Sequence, residues 1–205
     1  MKILKKLILA THNENKKLEL VDLFSSSVIS ILGLDQFPNI GEIDETGKTL
    51  QENAYIKAYE VHKITGLPTL ADDTGLEVDL LNGAPGVYSA RYAGLNSSYD
   101  DNVNKLLLDL SQYQNEIERT ARFKTFISFI NNSQEFSAIG IVEGYITIKR
   151  IGRNGFGYDS IFKPVNSSKT YAQMSEIEKN KISHRRLAFD KIKDQIIKAY
   201  KEESI

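Results

Sequence analysis

The sequence predicts a fold of α/β or α+β class built on one mixed sheet. Three observations lead there. Short apolar runs of strand type alternate with helical segments that carry their own start signals. Two long strand-like segments, 121–130 and 136–148, follow each other with no helix between them. The alternation is irregular, so strict βαβ repetition and a wholly parallel sheet are not expected. No internal repeat, low-complexity tract or linker interrupts residues 1–205, and one domain, with room for two lobes, is expected over that length.

Taken in order, Leu7-Ile8-Leu9-Ala10 reads as a short buried strand. Thr11-His12-Asn13 turns the chain, and Asn13 caps a helix from Glu14. On that helix Leu18, Val21 and Leu23 or Phe24 fall near one face. A second strand runs from Val28 to Leu32, followed by a polar, acidic loop over 36–48. Thr49 and Glu52 form a capping box, opening a helix that reaches Thr65 and stops at Gly66. Residues 68–73 are a strand, Thr74-Gly75 is expected to turn it, and 76–80 alternates so that one face is wet. Asn82-Gly83-Ala84-Pro85-Gly86 is a breaker cluster. Ser98 and Asp101 open a helix through Leu110. Within the second long strand Gly140 and Gly144 predict bends or bulges. Residues 152–159 form a glycine-rich loop, Ser175 and Glu178 a further capping box, and the last helix runs from near Ser183 to about Tyr200.

Composition narrows the function. The net charge is −1, so no global positive field gathers a nucleic acid, and an anionic ligand has to be met by a local basic cluster. A small anion fits that better than a polymer. There are no cysteines, which excludes a disulfide framework, a thiolate nucleophile and a thiolate zinc site. The apolar run after Lys6 is too short for a signal-peptide core or a membrane span, and a cytoplasmic protein is expected.

Five constellations carry possible chemistry. Thr11-His12-Asn13-Glu14-Asn15-Lys16 lies at a strand-to-helix turn, where open N–H groups and a lysine suit phosphate; an ordinary cap beside a surface lysine looks the same. Ala71-Asp72-Asp73-Thr74-Gly75 puts two carboxylates at the end of an apolar strand, a place for a hard cation such as Mg²⁺ or for a plain turn. Glu42, Asp44 and Glu45 either complete a metal site or solvate a loop. Downstream in this third group, Asn53 and Lys57 stand one helical turn apart. Gly152 to Asp159 offers close backbone approach, with Phe156 and Tyr158 able to stack on a base, or a simple hairpin. The run from Lys179 to Arg186 places cations where the last helix begins, a position its dipole disfavours. Ser183-His184 could be a nucleophilic pair, but neighbours in sequence rarely align for proton transfer.

Taken together and in order, these motifs resemble the inosine triphosphate pyrophosphatase family over nearly the whole chain. The resemblance rests on Thr11-x-Asn13-x-x-Lys16, Glu45-Thr46-Gly47, Glu52-Asn53-Ala54-x-x-Lys57-Ala58 and Ala71-Asp72-Asp73-Thr74-Gly75-Leu76. It continues through residues 83–92, Gly155-Phe156-Gly157-Tyr158-Asp159, Glu178-Lys179-Asn180 and Ser183-His184-Arg185. It implies an elongated, two-lobed α/β domain with a long mixed sheet and a central active-site groove between the lobes, usually as a homodimer. It also implies Mg²⁺-assisted attack of water on the α-phosphorus of ITP, dITP, XTP or dXTP, releasing monophosphate and pyrophosphate and cleansing the nucleotide pool. By the same resemblance Asp73 is the general base and a metal ligand, and Asp44 or Glu45 is the second metal ligand. Thr11, His12, Asn13, Glu14, Asn15, Lys16, Lys57 and Thr74 hold triphosphate and sugar. Phe156, Gly157, Tyr158, Asp159, Lys179, His184 and Arg185 line the nucleobase and substrate pocket.

The chemistry agrees with that expectation. A triphosphate needs cations, which Lys16, Lys57, Lys179 and Mg²⁺ supply. Hypoxanthine and xanthine show a keto oxygen at the 6-position to which His184 or Arg185 can donate. Adenine shows an amino group there, a mismatch able to discriminate by ~10⁴ or more. Asn15 stands where the family often has glycine, Ser160 where it has proline, and Arg186 where a small residue is common. Two rivals are weighed: a Maf-like nucleotide pyrophosphatase with another base preference, and a silent nucleotide-binding module. The glycine-rich loop and Ser183-His184-Arg185 argue against the first, and intact Asp73, Lys16 and acidic loop against the second.

Overall fold

The computed structural model describes residues 5–24 and 29–202. Its strands are β1 (Lys5–Leu9), β2 (Ile29–Gly33), β3 (Thr69–Val78), β4 (Pro85–Gly86), β5 (Thr120–Ile130), β6 (Glu135–Ile146) and β7 (Phe162–Pro164). Its helices are α1 (Glu14–Leu23), α2 (Leu50–Thr65), α3 (Tyr99–Asp109), α4 (Glu176–Ile182) and α5 (His184–Glu202), with short 3₁₀ turns between. Val28, where the second strand was expected to begin, lies outside the described residues, as does the N-terminal Met1-Lys2-Ile3-Leu4.

The fold is α/β, with helices flanking a mixed sheet. Among the described residues the strand order is β2-β1-β3-β5-β6-β7, with β4 paired on β3. β1 is parallel to β2 and to β3, the crossovers being α1 and α2. β4 runs antiparallel to β3, and β7 antiparallel to β6. Among the described residues no helix is long and apolar enough to cross a membrane.

The chain divides into two compact units. The first comprises Met1–Asp73, Thr125–Gly140 and Arg185–Ile205. Leu7–Leu9 of β1 and the start of β3 are buried on both faces, which is why they read as continuous apolar runs. Leu7, Leu9 and Leu70 pack with Leu20 of α1 and Phe24 at its C-cap and with Ala188, Phe189, Ile192 and Ile196 of α5. Ile8, Ala10 and Ala71 point the other way, onto Ala58 and Val61 of α2. Asn13 caps α1 by accepting from Lys16 N. The buried stripe of α1 differs from the expected one: Leu18 and Val21 are exposed, while Leu20 and Phe24 are buried, Phe24 meeting Phe189 edge-on at 4.6 Å. The stripe Lys16-Leu20-Phe24 follows the i, i+4 row, so both apolar residues and the lysine share one face. α2 has the capping box of Thr49 and Glu52, and Gly66 ends it at φ 66°.

The second unit comprises Thr74–Lys124 and Ile141–His184. Its core joins Leu76, Val78, Phe123 and Ile146 to Val103, Leu106 and Leu110 and to Tyr158, Phe162 and Tyr171. The expected turn at Thr74-Gly75 is absent: β3 continues through it, because Leu76 and Glu77 take up pairing with Gly86 and Pro85. The expected alternation beyond it holds. Leu76 and Val78 are buried, while Glu77 meets Lys124 at 2.7 Å and Asp79 meets Arg122 at 2.8 Å. Gly144 answers to close approach: a Cβ there would lie 2.5 Å from Lys163 O and 2.6 Å from the Phe162 ring.

Arg119 is fully buried in this unit, and its guanidinium donates to three carbonyls: Nε to Tyr113 at 2.7 Å, Nη1 to Thr147 at 2.8 Å and Nη2 to Leu110 at 2.7 Å. Leu110 is the C-cap of α3, so the charge also meets the negative end of that helix. Arg119→Met leaves three carbonyls without this donor. Each such loss costs about 1–3 kcal/mol, so urea unfolding is expected to show a loss of about 3 kcal/mol or more. A change under about 1 kcal/mol would mean that water replaces the arginine at little cost.

Candidate active site

The period of a strand organises the first unit's polar cluster. Successive side chains of β3 face opposite sides, so Asp72 shares a side with Leu70 and Asp73 shares one with Ala71. The two neighbouring carboxylates therefore do not face each other. Each meets a different set of helices.

On the α2 side, Asp73 is 6 % exposed. Its Oδ1 accepts from Lys57 Nζ at 3.2 Å, and its Oδ2 accepts from Asn53 Nδ2 at 3.3 Å. Asn53 and Lys57 are one turn apart on α2 and both are buried. Lys57 Nζ also donates to Glu45 Oε1 at 2.7 Å. One ammonium thus stands between two carboxylates. Burial lifts the Asp73 carboxyl above its ordinary value, with Glu45 adding to the rise while Lys57 and Lys16 pull it down. Burial opposes the charge of Lys57, but Asp73, Glu45 and Asp72 outweigh it and raise its pKa.

On the other side, Asp72 is wholly buried. Its Oδ2 accepts from Arg185 Nε at 3.1 Å and Nη2 at 3.0 Å, and Lys16 Nζ lies 3.4 Å away. Arg185 also reaches Glu19 of α1. Burial alone would raise the Asp72 carboxyl, but Lys16, Arg185 and Lys57 hold it far below the usual carboxylate range. Burial lowers the pKa of Lys16, Asp72 opposing and Lys57 reinforcing that effect.

The N-terminus of α1 adjoins this cluster through Lys16. Asn13 N donates to Thr11 Oγ1 at 3.2 Å, and Asn13 Oδ1 accepts from Lys16 N at 3.2 Å. His12 Nε2 lies 3.1 Å from Gly41 O. Glu14 and Asn15 are exposed in the first turn. Thr74 follows Asp73 along β3 and is half-buried.

The metal residues expected from sequence separate here. Glu45 reaches Lys57, whereas Asp44 is exposed and gives its carbonyl to Thr46 N at 3.1 Å. Among the described residues no group of three or more His, Cys, Asp or Glu is arranged to hold a metal. The donor chemistry still suits Mg²⁺, which takes one or two protein carboxylates and fills its shell with water and phosphate oxygens. Glu45 and Asp73 already share one cation, the Lys57 ammonium.

In the second unit Lys179 and Asp159 form a buried ion pair at 2.5 Å, and Asp159 Oδ2 also accepts from Phe156 N at 2.9 Å. Lys179 Nζ stands 4.8 Å from the Phe156 ring centroid. Gly155, at φ 74°, has no room for a Cβ because the Asp159 carboxylate occupies that space. Gly157 begins a 3₁₀ turn, and Tyr158 donates its hydroxyl to Ser89 O at 2.9 Å. His184 stacks on Phe123 at 4.5 Å.

A model of the Ham1 family matches residues 7–195. The chain belongs to the Ham1 family. The dITP/XTP pyrophosphatase of Elusimicrobium minutum is 47% identical over 196 residues, covering 93% of this chain and 99% of that protein. The enzyme of the same name from Flavobacterium johnsoniae is 45% identical over 189 residues, covering 92% and 96%. Among solved structures, a HAM1 protein from Coxiella burnetii is similar at TM-score 0.85 and 37% identity, over 95% of this chain and 99% of that one. The Ham1 protein of Staphylococcus aureus is similar at TM-score 0.81 and 36% identity, over 98% and 100%.

Within this Ham1-family chain the structure adds residues that sequence reasoning did not select. Glu19 follows Lys16 by three positions on α1, a spacing that places them together. Asn53 was noted beside Lys57 but given no task. Tyr99, at the start of α3, lies 5.9 Å from Phe156. Two cations also sit differently from expectation. Lys179 falls in the last turn of α4, where the dipole favours it. The Arg185 guanidinium is engaged by carboxylates of the first unit. The three departures from the family pattern are placed as well. Asn15 is exposed in α1 and Arg186 pairs with Asp190 at 2.6 Å on α5. The Ser160 hydroxyl has no hydrogen-bond partner among the described residues.

Proposed function

We propose that this chain hydrolyses noncanonical purine nucleoside triphosphates, with ITP, dITP, XTP and dXTP as substrates, to the monophosphate and pyrophosphate. The observation that carries the reading is the buried Asp73 carboxylate, held by Lys57 and Asn53, with Lys57 also held by Glu45. Asp73 accepts the proton of the attacking water, a task suited to a carboxyl lifted by burial. Lys16 and Lys57 offset phosphate charge, with the turn from Thr11 to Asn15 and Thr74 presenting polar groups to phosphate and sugar. Mg²⁺ would be held by Asp73 and Glu45, where it supplies charge neutralisation and a more acidic water. Glu45 is preferred to Asp44 because its carboxylate reaches the ammonium that Asp73 also holds.

By the family resemblance the nucleobase falls to Phe156, Gly157, Tyr158, Asp159, Lys179, His184 and Arg185. A cytoplasmic homodimer belongs to the same reading. The net charge of −1 supports a small anion over a nucleic acid as ligand.

The test is phosphorus NMR after incubation with Mg²⁺ and either ITP or ATP. IMP and pyrophosphate from ITP, with ATP nearly untouched, is the expected result. Orthophosphate as the first product would place cleavage at another phosphorus. Equal turnover of ATP would remove the base filter.

A further inference from the structure

We propose that Asn53 is a positioning residue that fixes the Asp73 carboxylate and the acidic loop against each other; this rests on the reading of Asp73 as the base. Asn53 is wholly buried on α2. Its Nδ2 donates to Asp73 Oδ2 at 3.3 Å, and its Oδ1 accepts from Gly47 N at 2.8 Å. The two bonds settle the amide's orientation, since the opposite one would set oxygen against carboxylate and NH₂ against N–H.

The geometry assigns each contact a purpose. Asp73 uses one oxygen for Lys57 and the other for Asn53, so two donors from one helix face set the plane of its carboxylate. The loop is tied to that same face twice. Lys57 takes the side chain of Glu45, and Asn53 takes the backbone of Gly47. Gly47 has to be glycine for this approach: a Cβ would lie 2.6 Å from Asn53 Oδ1 and 2.6 Å from Glu52 Cβ. Asn53 therefore sets the position of Glu45 relative to Asp73, without touching substrate. A small misplacement of reacting groups costs about 10²-fold in rate.

Two variants separate the bonds. Asn53→Ala removes both. Asn53→Asp keeps an acceptor for Gly47 N but turns a like charge on Asp73. For each, kcat and KM for ITP are measured per folded molecule, and hydrogen exchange is followed over residues 45–47. Asn53→Ala is expected to lose about 10²-fold in kcat with KM within about threefold, and to exchange faster at 45–47. Asn53→Asp, nearly isosteric, is expected to lose kcat similarly while exchange at 45–47 stays as in the parent. A purely structural asparagine would lower the folded fraction and leave kcat per folded molecule within about twofold; that result overturns the proposal. Parent protein that leaves ITP intact would sink the functional reading instead. The exchange comparison still decides the tie then, and unchanged exchange in Asn53→Ala would break it.

Discussion

Asp73→Asn is expected to lower ITP turnover by about 10²–10⁴-fold while the protein stays folded and still binds nucleotide. The amide keeps the shape of the carboxylate, so β3 need not move, but it offers one acceptor where Lys57 Nζ and Asn53 Nδ2 both donate, and one of those two bonds is lost. Glu45 still holds Lys57, at 2.7 Å, so the ammonium keeps one carboxylate. What disappears is the carboxylate proposed to accept the proton of the attacking water. The two quantities to measure are kcat, from pyrophosphate release, and nucleotide affinity, from calorimetry without turnover. A variant that keeps more than about a tenth of parental kcat would remove Asp73 from the role of base. A variant that loses affinity as steeply as rate would make Asp73 chiefly a binding group.

Arg185→Met is expected to be the most destabilising single change in the first unit, by about 3–5 kcal/mol in urea unfolding at pH 7. Arg185 is 1 % exposed, and its guanidinium answers both Asp72 and Glu19. A buried ion pair adds little net stability, but a buried carboxylate that has lost its partner costs much more. Lys16, at 3.4 Å, is a poorer substitute because burial already works against its charge.

The pH dependence gives a second signature. The Asp72 carboxyl is held below its ordinary 3.8 in the folded protein. Its contribution is therefore complete above 3.8 and fades as pH falls toward the lowered folded value. Removing Arg185 shrinks that contribution. The gap between parent and variant should be widest near neutrality and narrow below pH 3.8. Adding Asp72→Asn to Arg185→Met is expected to recover part of the loss. A gap that widens in acid, or no recovery in the double variant, would show that the cost lies elsewhere.

Features set by local chemistry were readable from the sequence. The caps at Asn13, Thr49, Ser98 and Ser175 each depend on residues within a few positions, and all four form. Gly66 ends α2 for the same kind of reason. Features set by distant packing were not. Leu18 and Leu20 are equally apolar, and only the β1 and α5 surfaces decide that Leu20 turns inward. Thr74-Gly75 has the composition of a turn, yet strand pairing beyond it keeps the chain extended. The site divides in the same way. Lys16, Lys57 and Asp73 stand in short motifs. That Asp72 and Asp73 part company follows from strand period, but which helix receives each depends on topology. Nothing local to Ser183-His184-Arg185 says that the arginine will meet a carboxylate 113 residues earlier.

That last contact bears on the order in which the protein comes into being. At ~5–20 residues per second, synthesis delivers Asp72 on the order of ten seconds before Arg185. During that interval β1, β2, β3 and α2 are all present, and every residue proposed for catalysis in the first unit has been made. Asp72, the carboxylate beside Asp73, nevertheless waits for its clamp. A nascent chain therefore holds the buried pair of Asp72 and Lys16 but not the guanidinium that completes its charge balance. That guanidinium arrives only with α5.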